Sequence, residues 1–133
     1  MWTVQNVVGR LVEARLTKGD SNEVTACLTA IADTVASAAL PVVGLFDVSQ
    51  IQVLGRADAE LLLKVMREDN PKVERTAILV HRDALLEMQI ERLIRAAALP
   101  TRQAFRLAGH AVSWLRPALS PTELARLQLF LGV

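Results

Sequence analysis

The stretch Val42-Val-Gly-Leu-Phe-Asp-Val-Ser-Gln-Ile-Gln-Val-Leu-Gly55 determines the fold that this sequence predicts. It opens behind Pro41 with a short apolar run, which is the pattern of a strand buried on both faces of a sheet. Asp47 then places a carboxylate where that strand ends, and Gly55 opens a turn into a helical pattern. In open parallel α/β sheets, ligands and partners bind in the crevice at such strand ends. We therefore expect the functional surface at this corner.

The composition limits the classes of protein to which the chain can belong. Its 133 residues fit one domain over residues 1–133, and a hydrophobic content of 52% allows a sizeable core. A net charge of +1 argues against a strongly basic nucleic-acid binder or a long acidic tail. Aromatic residues make up only 4% of the chain, which leaves little for stacking bases. We expect no nucleic-acid partner.

Cysteine usage and hydropathy indicate a cytoplasmic protein. Cys27 is the only cysteine, so an internal disulfide and a cysteine-based zinc site are both excluded. It lies among Val24, Leu28 and Ile31, which favours buried packing over a reactive thiol. The first residues lack the pattern of a secretory signal, and the longest weakly polar stretch, Val35–Phe46, is too short to span a bilayer. We do not expect an integral membrane protein.

Hydrophobic periodicity and turn residues predict strands that alternate with helices. The predicted elements are a hairpin of Trp2–Val8 and Leu11–Leu16, a helix capped by Asp20 or Ser21 that ends near Ala39, the strand Val42–Phe46, a helix over Ala57–Glu68, the strand Val73–Val80, a helix capped by Asp83, a weaker edge strand over Gln103–Leu107, a short helix over Gly109–Leu115, and a last helix that begins with the capping box Ser120–Glu123. This order predicts an α/β fold with a mixed, largely parallel sheet, an N-terminal β-hairpin and about five helices.

The central strand also carries a resemblance to a known superfamily. Leu45-Phe-Asp-Val-Ser49, followed by Ile51 and the pair Val53-Leu54, is similar to an apolar strand that closes in Asp-Leu-Ser. The strands expected over Glu74–Val80 and Arg102–Leu107 follow at similar intervals. Over most of the chain this pattern resembles the STAS superfamily, whose type members are anti-sigma-factor antagonists. The resemblance implies a STAS-like fold and a regulatory module in a bacterial-type cytoplasm that binds a protein partner of unknown identity.

Three other segments look closer to a divergent branch of that superfamily, related to CRAL-TRIO lipid-transfer domains. They are Asn70–Arg75, Gln89–Arg92 and, after Phe105, Ala111–Leu115. This resemblance implies a carrier or sensor of a hydrophobic small molecule or lipid. Some apolar residues of the helices lie away from the stripe that faces the core. They are candidates for lining a lipid-sized pocket or a homodimer face, and ordinary core packing is the other interpretation. The four candidate residues are Leu61, Val65, Leu86 and Met88.

The loop after the central strand departs from the antagonists. The resemblance implies an Asp-Ser-Ser-Gly loop there, in which a kinase phosphorylates a serine and the added negative charge changes partner choice. The corresponding loop here is Gly55-Arg-Ala-Asp58, in which Ala57 has no hydroxyl, and Ser49 lies earlier, at the strand end. We expect a partner-binding surface that has lost the phosphoserine switch and is formed by Asp47, Ser49, Gly55, Arg56 and Asp58.

Two interpretations of these polar residues stay open. In the first, Asp47, Arg56 and Asp58 form a contact surface or a small anion site, which the amino end of the helix after Gly55 assists. In the second, Asp47 orders the loop by accepting hydrogen bonds from backbone amides, while Arg56 is solvated.

No set of residues in the sequence is typical of an enzyme. His81 and His110 have neither an activated nucleophile nor carboxylates at metal-ligand spacing, and the glycines are scattered singly rather than grouped in a phosphate-binding loop. We expect no catalytic residues, no cofactor and no metal.

Overall fold

In the computed structural model, which describes residues 1–81 and 84–133, five strands form one mixed sheet. The strands are β1 (Trp2–Gln5), β2 (Leu11–Leu16), β3 (Val42–Asp47), β4 (Val73–Leu79) and β5 (Arg102–Phe105). They lie side by side in chain order, with β1 antiparallel to β2 and every later neighbour parallel. The predicted α/β fold, with its hairpin and largely parallel sheet, is therefore confirmed.

Five helices in the described part of the chain connect and cover the strands. They are α1 (Ser21–Ser37), α2 (Arg56–Asp69), α3 (Ala84–Ala97), α4 (Ala108–Leu115) and α5 (Pro121–Leu131), with short 3₁₀ turns at Asn70–Lys72 and Arg116–Ala118. None of the helices within the described residues is long and apolar enough to cross a membrane.

The element boundaries differ from the predicted ones by a few residues. α1 ends at Ser37 rather than near Ala39, because the chain is already extended at Ala38 ahead of Pro41. β1 ends at Gln5 rather than Val8, since the following residues form the turn of the hairpin. Asp83, the predicted cap of α3, lies outside the described residues.

Two helix starts follow the predicted capping chemistry. The Asp20 carboxylate accepts a hydrogen bond from the Glu23 amide at 3.0 Å and caps α1. Ser120 and Glu123 form the predicted capping box of α5, in which the Glu123 amide donates to the Ser120 hydroxyl and the Ser120 amide donates to the Glu123 carboxylate. Local sequence therefore fixes where both helices begin.

Alternate side chains of the strands face two separate cores. Ala14, Phe46 and Ile78 pack against α1, α2 and α3, and this core also contains the buried Cys27. Burial, aided by the negative charge of Glu23, raises the pKa of the Cys27 thiol to about 12, so the thiol is protonated and inert at neutral pH. On the other face, apolar strand residues pack against α4 and α5: Leu11, Val43, Leu45 and Ala77.

An ion pair between a fully buried glutamate and a partly exposed arginine joins α5 to the sheet. Glu13 on β2 has no exposed surface, because β2 lies between two strands and under α5. Both oxygens of its carboxylate accept hydrogen bonds from Arg126 Nε, at 3.0 and 3.1 Å, and Oε1 also accepts one from Nη2. A buried charge needs such a partner, so this pair fixes the position of α5 on the sheet.

Candidate functional site

Asp47, at the end of β3, holds the first part of the loop that leads to α2. We call residues 48–55 the corner loop. One carboxylate oxygen of Asp47 accepts hydrogen bonds from the Ser49 amide at 2.9 Å and the Ser49 hydroxyl at 2.6 Å. The other oxygen accepts a hydrogen bond from Arg15 Nε at 2.9 Å. The carboxylate is buried, and both of its oxygens accept hydrogen bonds from residues of the protein, which agrees with the interpretation that Asp47 orders the loop.

Arg15 extends this group of polar residues to α5. It donates a second hydrogen bond to the Phe130 carbonyl at 2.9 Å, and its guanidinium carbon lies 4.2 Å from the centre of the Phe130 ring. Asp47 therefore faces the side of the sheet that α4 and α5 cover, together with Leu45 of the same strand. It does not face the start of α2.

The second half of the corner loop is anchored to α3 and to the core. The side-chain amide of Gln89 accepts a hydrogen bond from the Leu54 amide at 3.0 Å and donates one to the Leu54 carbonyl at 2.9 Å. Ile51 and Leu54 are buried, and the Ile51 amide donates to the Val48 carbonyl. The loop backbone is therefore fixed at both ends and in its middle.

The start of α2 is tied to α1. Gly55 is the N-cap residue of α2 and offers no side chain for capping. Asp58, three residues further along, is buried and accepts a hydrogen bond from the Ser21 hydroxyl at 2.9 Å. Arg56 has 93% of its side chain exposed and makes a 3.3 Å ion pair with Glu60, which is also exposed. Such an exposed pair contributes little to stability, so Arg56 is available to a partner.

The five predicted partner-binding residues thus fall into two groups along one edge of the sheet. Asp47 and Ser49 bind each other, and Asp58 binds Ser21, so the two carboxylates act in separate hydrogen-bond groups. Gly55 and Arg56 are the predicted residues that face solvent.

The exposed surface of the corner loop also contains residues that were not predicted to bind a partner. Gln50 and Gln52 are exposed, and Val53 is 48% exposed although Ile51 and Leu54 beside it are buried. Gln50 and Gln52 are polar and therefore expected at the surface, but no local signal separates Val53 from the buried Ile51 and Leu54. Gln89, which anchors the loop, could not be found from sequence because it is 35 residues from Leu54.

The predicted hydrophobic-ligand residues are spread over three environments. Leu86 and Val65 are buried in the core, Leu61 is half-buried against it, and Met88 is exposed. A cavity of about 70 Å³ lies between α1, α2 and the sheet, and Val65 is the one of the four that lines it. Pockets for drug-sized ligands measure roughly 300–1,000 Å³. The cavity is therefore much smaller than a lipid site.

The histidines occupy separate positions. His110 is exposed in α4, and His81 is half-buried two residues after the end of β4. Within residues 1–81 and 84–133, no three histidine, cysteine, aspartate or glutamate side chains come together as a group that could hold a metal ion.

Comparison with known proteins identifies the fold. No protein-family model matches the chain, and no curated protein matches its sequence. The structure of the anti-sigma factor antagonist SpoIIAA in its unphosphorylated form matches with a TM-score of 0.62 at 16% sequence identity. The match covers 90% of this chain and 100% of that chain. The chain therefore has a STAS-like fold, as predicted, whereas the CRAL-TRIO resemblance rests on sequence segments alone and stays a prediction.

Proposed function

We propose that this chain is a non-enzymatic regulatory module that binds a protein partner through the corner loop and the exposed start of α2. The observation that carries the proposal is the contrast within residues 48–58. Asp47 and Gln89 hold the backbone of this segment and Ser21 binds the Asp58 side chain, while Val53 and Arg56 are exposed to solvent. A loop that is already ordered loses little conformational entropy when it binds.

The chemistry of the exposed residues suits a protein surface. Val53 offers apolar area, and Arg56 offers a planar cation that binds carboxylates in two-point geometry. Interface cores are enriched in arginine and apolar side chains, and they commonly have a polar rim such as Gln50 and Gln52 provide. Because SpoIIAA is an anti-sigma factor antagonist, an anti-sigma factor is the first kind of partner to test for this chain.

The same geometry supports an interaction that is not switched by phosphorylation. Ser49 is the one hydroxyl residue between positions 47 and 58. Its hydroxyl donates to Asp47 at 2.6 Å, so a phosphate there would lose that bond and lie beside a buried carboxylate. We expect the peptide that contains Ser49 to be unphosphorylated in protein isolated from its own cells. Mass spectrometry of that peptide tests this, and a stoichiometric phosphate would contradict it.

The partner surface is tested by placing negative charges at two of its exposed residues. Tagged wild-type protein, the double variant Val53→Glu, Arg56→Glu and the control Arg116→Glu are recovered from the protein's own cells after cross-linking. Arg116 is also exposed but belongs to the α4–α5 side of the sheet. We expect the double variant to bind the specific partner at least tenfold more weakly than the wild type, which corresponds to about 1.4 kcal/mol of binding free energy. Equal recovery with all three proteins would contradict the proposed surface.

A carrier of a hydrophobic small molecule or lipid is the alternative function, and the small cavity gives it less support. Native mass spectrometry of gently purified protein tests it, because a lipid would add its own mass to that of the chain. The same spectrum reports a homodimer, for which the exposed Met88 is a candidate contact.

A further inference from the structure

The cavity under α1 and α2 lies at the opposite edge of the sheet from the corner loop. It reaches the first residues of three parallel strands: Val42, Val73 and Arg102. Its floor includes Ala14 and Gly44, which put little or no side chain there. A Cβ atom at Gly44 would lie 3.3 Å from Thr76 Oγ1, so even a methyl group would crowd this floor. Most of the wall is aliphatic.

Asp69, the last residue of α2, lines this apolar cavity with a carboxylate. The residue is only 6% exposed, and its carboxylate takes part in none of the hydrogen bonds or ion pairs found among the described residues. Burial raises its pKa to about 6, although the positive charges of Lys72 and Arg102 oppose the shift and Glu68 adds to it. No fully buried side-chain oxygen or nitrogen among the described residues lacks a hydrogen-bond partner, so the Asp69 oxygens keep some contact with solvent. A largely buried carboxylate that makes no hydrogen bond within the protein can accept one from a ligand or, when protonated, donate one to it.

Arg102, the first residue of β5, lines the same cavity with a guanidinium group. It is 4% exposed, and its hydrogen bonds go to two neutral acceptors, the Asn70 side chain at 2.8 Å and the Met66 carbonyl at 3.4 Å. Burial lowers its pKa, against the effect of Asp69. Because a guanidinium has five N–H groups, donors remain for a further acceptor. The cavity thus combines an apolar interior with a hydrogen-bond donor, the Arg102 guanidinium, and a hydrogen-bond acceptor, the Asp69 carboxylate.

We propose that this cavity binds a short-chain aliphatic carboxylic acid, with its tail between α1, α2 and the sheet and its carboxyl group between Asp69 and Arg102. Arg102 would bind the ligand carboxylate, and Asp69 would take up one proton and donate a hydrogen bond to it. A known apolar cavity of about 150 Å³ binds benzene, so about half that volume suits a tail of roughly three carbons. This site is remote from the corner loop and goes beyond the proposed interaction function.

The proton taken up by Asp69 makes the affinity depend on pH. The charged groups that act on Asp69 are Lys72, Arg102 and Glu68. Above the pKa of Asp69, each pH unit removes about nine-tenths of its protonated form. Binding should therefore be about tenfold weaker at pH 8 than at pH 7 and should level off below about pH 6.

Butyrate is the probe, with 1-butanol as a neutral ligand of the same length. Each is titrated to about 50 mM into isotopically labelled protein, a range that detects even millimolar binding. Amide NMR shifts locate the site, and we expect changes at cavity residues such as Leu28, Leu62 and Thr76. Butyrate should show the tenfold pH effect, and butanol should not.

Three variants separate the proposal from its alternatives. Asp69→Asn should still bind butyrate, because its amide can donate, but should lose the pH dependence. Glu68→Gln removes the exposed neighbouring charge and should keep that dependence. Ala14→Leu fills the cavity and should abolish binding. Should Ala14→Leu fail to fold, the comparison of the two charge variants decides.

The proposal is overturned by any of four results. They are no shift at the cavity residues, binding to a folded Ala14→Leu variant, an undiminished pH effect in Asp69→Asn, or butanol binding as tightly as butyrate. A cavity that holds only water would give the first result. None of these outcomes bears on the corner loop, so failure here leaves the proposed function standing.

Discussion

Asp47 stabilises the protein through three hydrogen bonds accepted by one carboxylate group. Two of these hydrogen bonds come from Ser49, and the third, from Arg15, is also an ion pair. Replacing Asp47 by alanine leaves a backbone amide and part of a guanidinium without their acceptor. We expect Asp47→Ala to lower the free energy of unfolding by about 1–3 kcal/mol in urea titrations.

The exposed Arg56 supplies the matched control for that measurement. Arg56→Ala should change the free energy of unfolding by less than about 0.5 kcal/mol. If both variants were equally stable, Asp47 would not hold the corner loop in the way that its contacts indicate.

For Asp69 we expect the opposite effect, a gain in stability when its carboxylate is removed. Its pKa of about 6 in the folded protein lies above its ordinary value of 3.8, so the folded state binds the proton more tightly than the unfolded state. The ionised carboxylate therefore destabilises the fold above about pH 6, and this cost disappears as the pH falls to the ordinary value. We expect Asp69→Asn to raise the free energy of unfolding by an amount on the order of 1 kcal/mol at pH 7.5, and by much less near pH 4.

Urea unfolding at both pH values measures the difference for Asp69→Asn. Glu68→Gln, which changes an exposed neighbour, should show no comparable gain at either pH. A less stable Asp69→Asn protein at neutral pH would mean that the carboxylate has a favourable partner.

At the scale of the element, α5 depends on the charge of Glu123. Burial alone would raise the pKa of this carboxyl group, but hydrogen bonds from Ser120 and Arg10 outweigh burial and lower it. Its contribution to stability is therefore complete above its ordinary value of 4.5 and is lost as the pH falls through the lower folded value. We expect Glu123→Gln to cost about 1 kcal/mol at pH 7 and progressively less in acid.

Ser120→Ala is the comparison for Glu123→Gln. It removes the uncharged half of the capping box, so its cost, also about 1 kcal/mol, should vary less with pH. Circular dichroism during urea unfolding gives both values. A pH-independent cost for Glu123→Gln would show that the carboxylate charge is not what holds α5.

Elements were predictable where neighbouring residues carry the information. The apolar run before Asp47 gave β3, and Ser120 with Glu123 gave the start of α5. The ends of β1 and α1 were less predictable, because a turn and an extended residue before Pro41 replaced the last residues of the expected pattern.

The candidate site was only partly predictable for the same reason. Its place at the end of β3 follows from sequence, but the partners of Asp47 and Asp58 do not. Arg15 and Ser21 lie 32 and 37 residues away from them in the chain, and only the fold brings them close. In the sequence, Asp69 is a polar residue at the end of a helical pattern and Arg102 is one at the start of a strand. Their burial depends on tertiary packing that no local pattern specifies.

At the scale of the whole molecule, both cores share one sheet. Trp2 packs against the core beneath α1, α2 and α3, and Trp114 packs against the core beneath α4 and α5. A sheet that loses either cover exposes apolar side chains of the same strands, so we expect the two faces to unfold together. Fluorescence of Trp2→Phe and Trp114→Phe, each with one tryptophan left, should give the same urea dependence as circular dichroism on the same variant.

Coincident transitions in those two variants would support one domain over residues 1–133. A midpoint that differs between fluorescence and circular dichroism in either variant would show that one layer of helices unfolds before the other.

The ion pair of buried Glu13 with Arg126 has a consequence for protein synthesis. The two residues are 113 positions apart, so the ribosome adds Glu13 to the chain long before it adds Arg126. Sheet strands can join one by one as they emerge, since each pairs with the strand made just before it. Until Arg126 leaves the exit tunnel, however, the Glu13 carboxylate of the growing chain must stay hydrated or become protonated. The face of the sheet that α5 will cover therefore has to stay open to solvent.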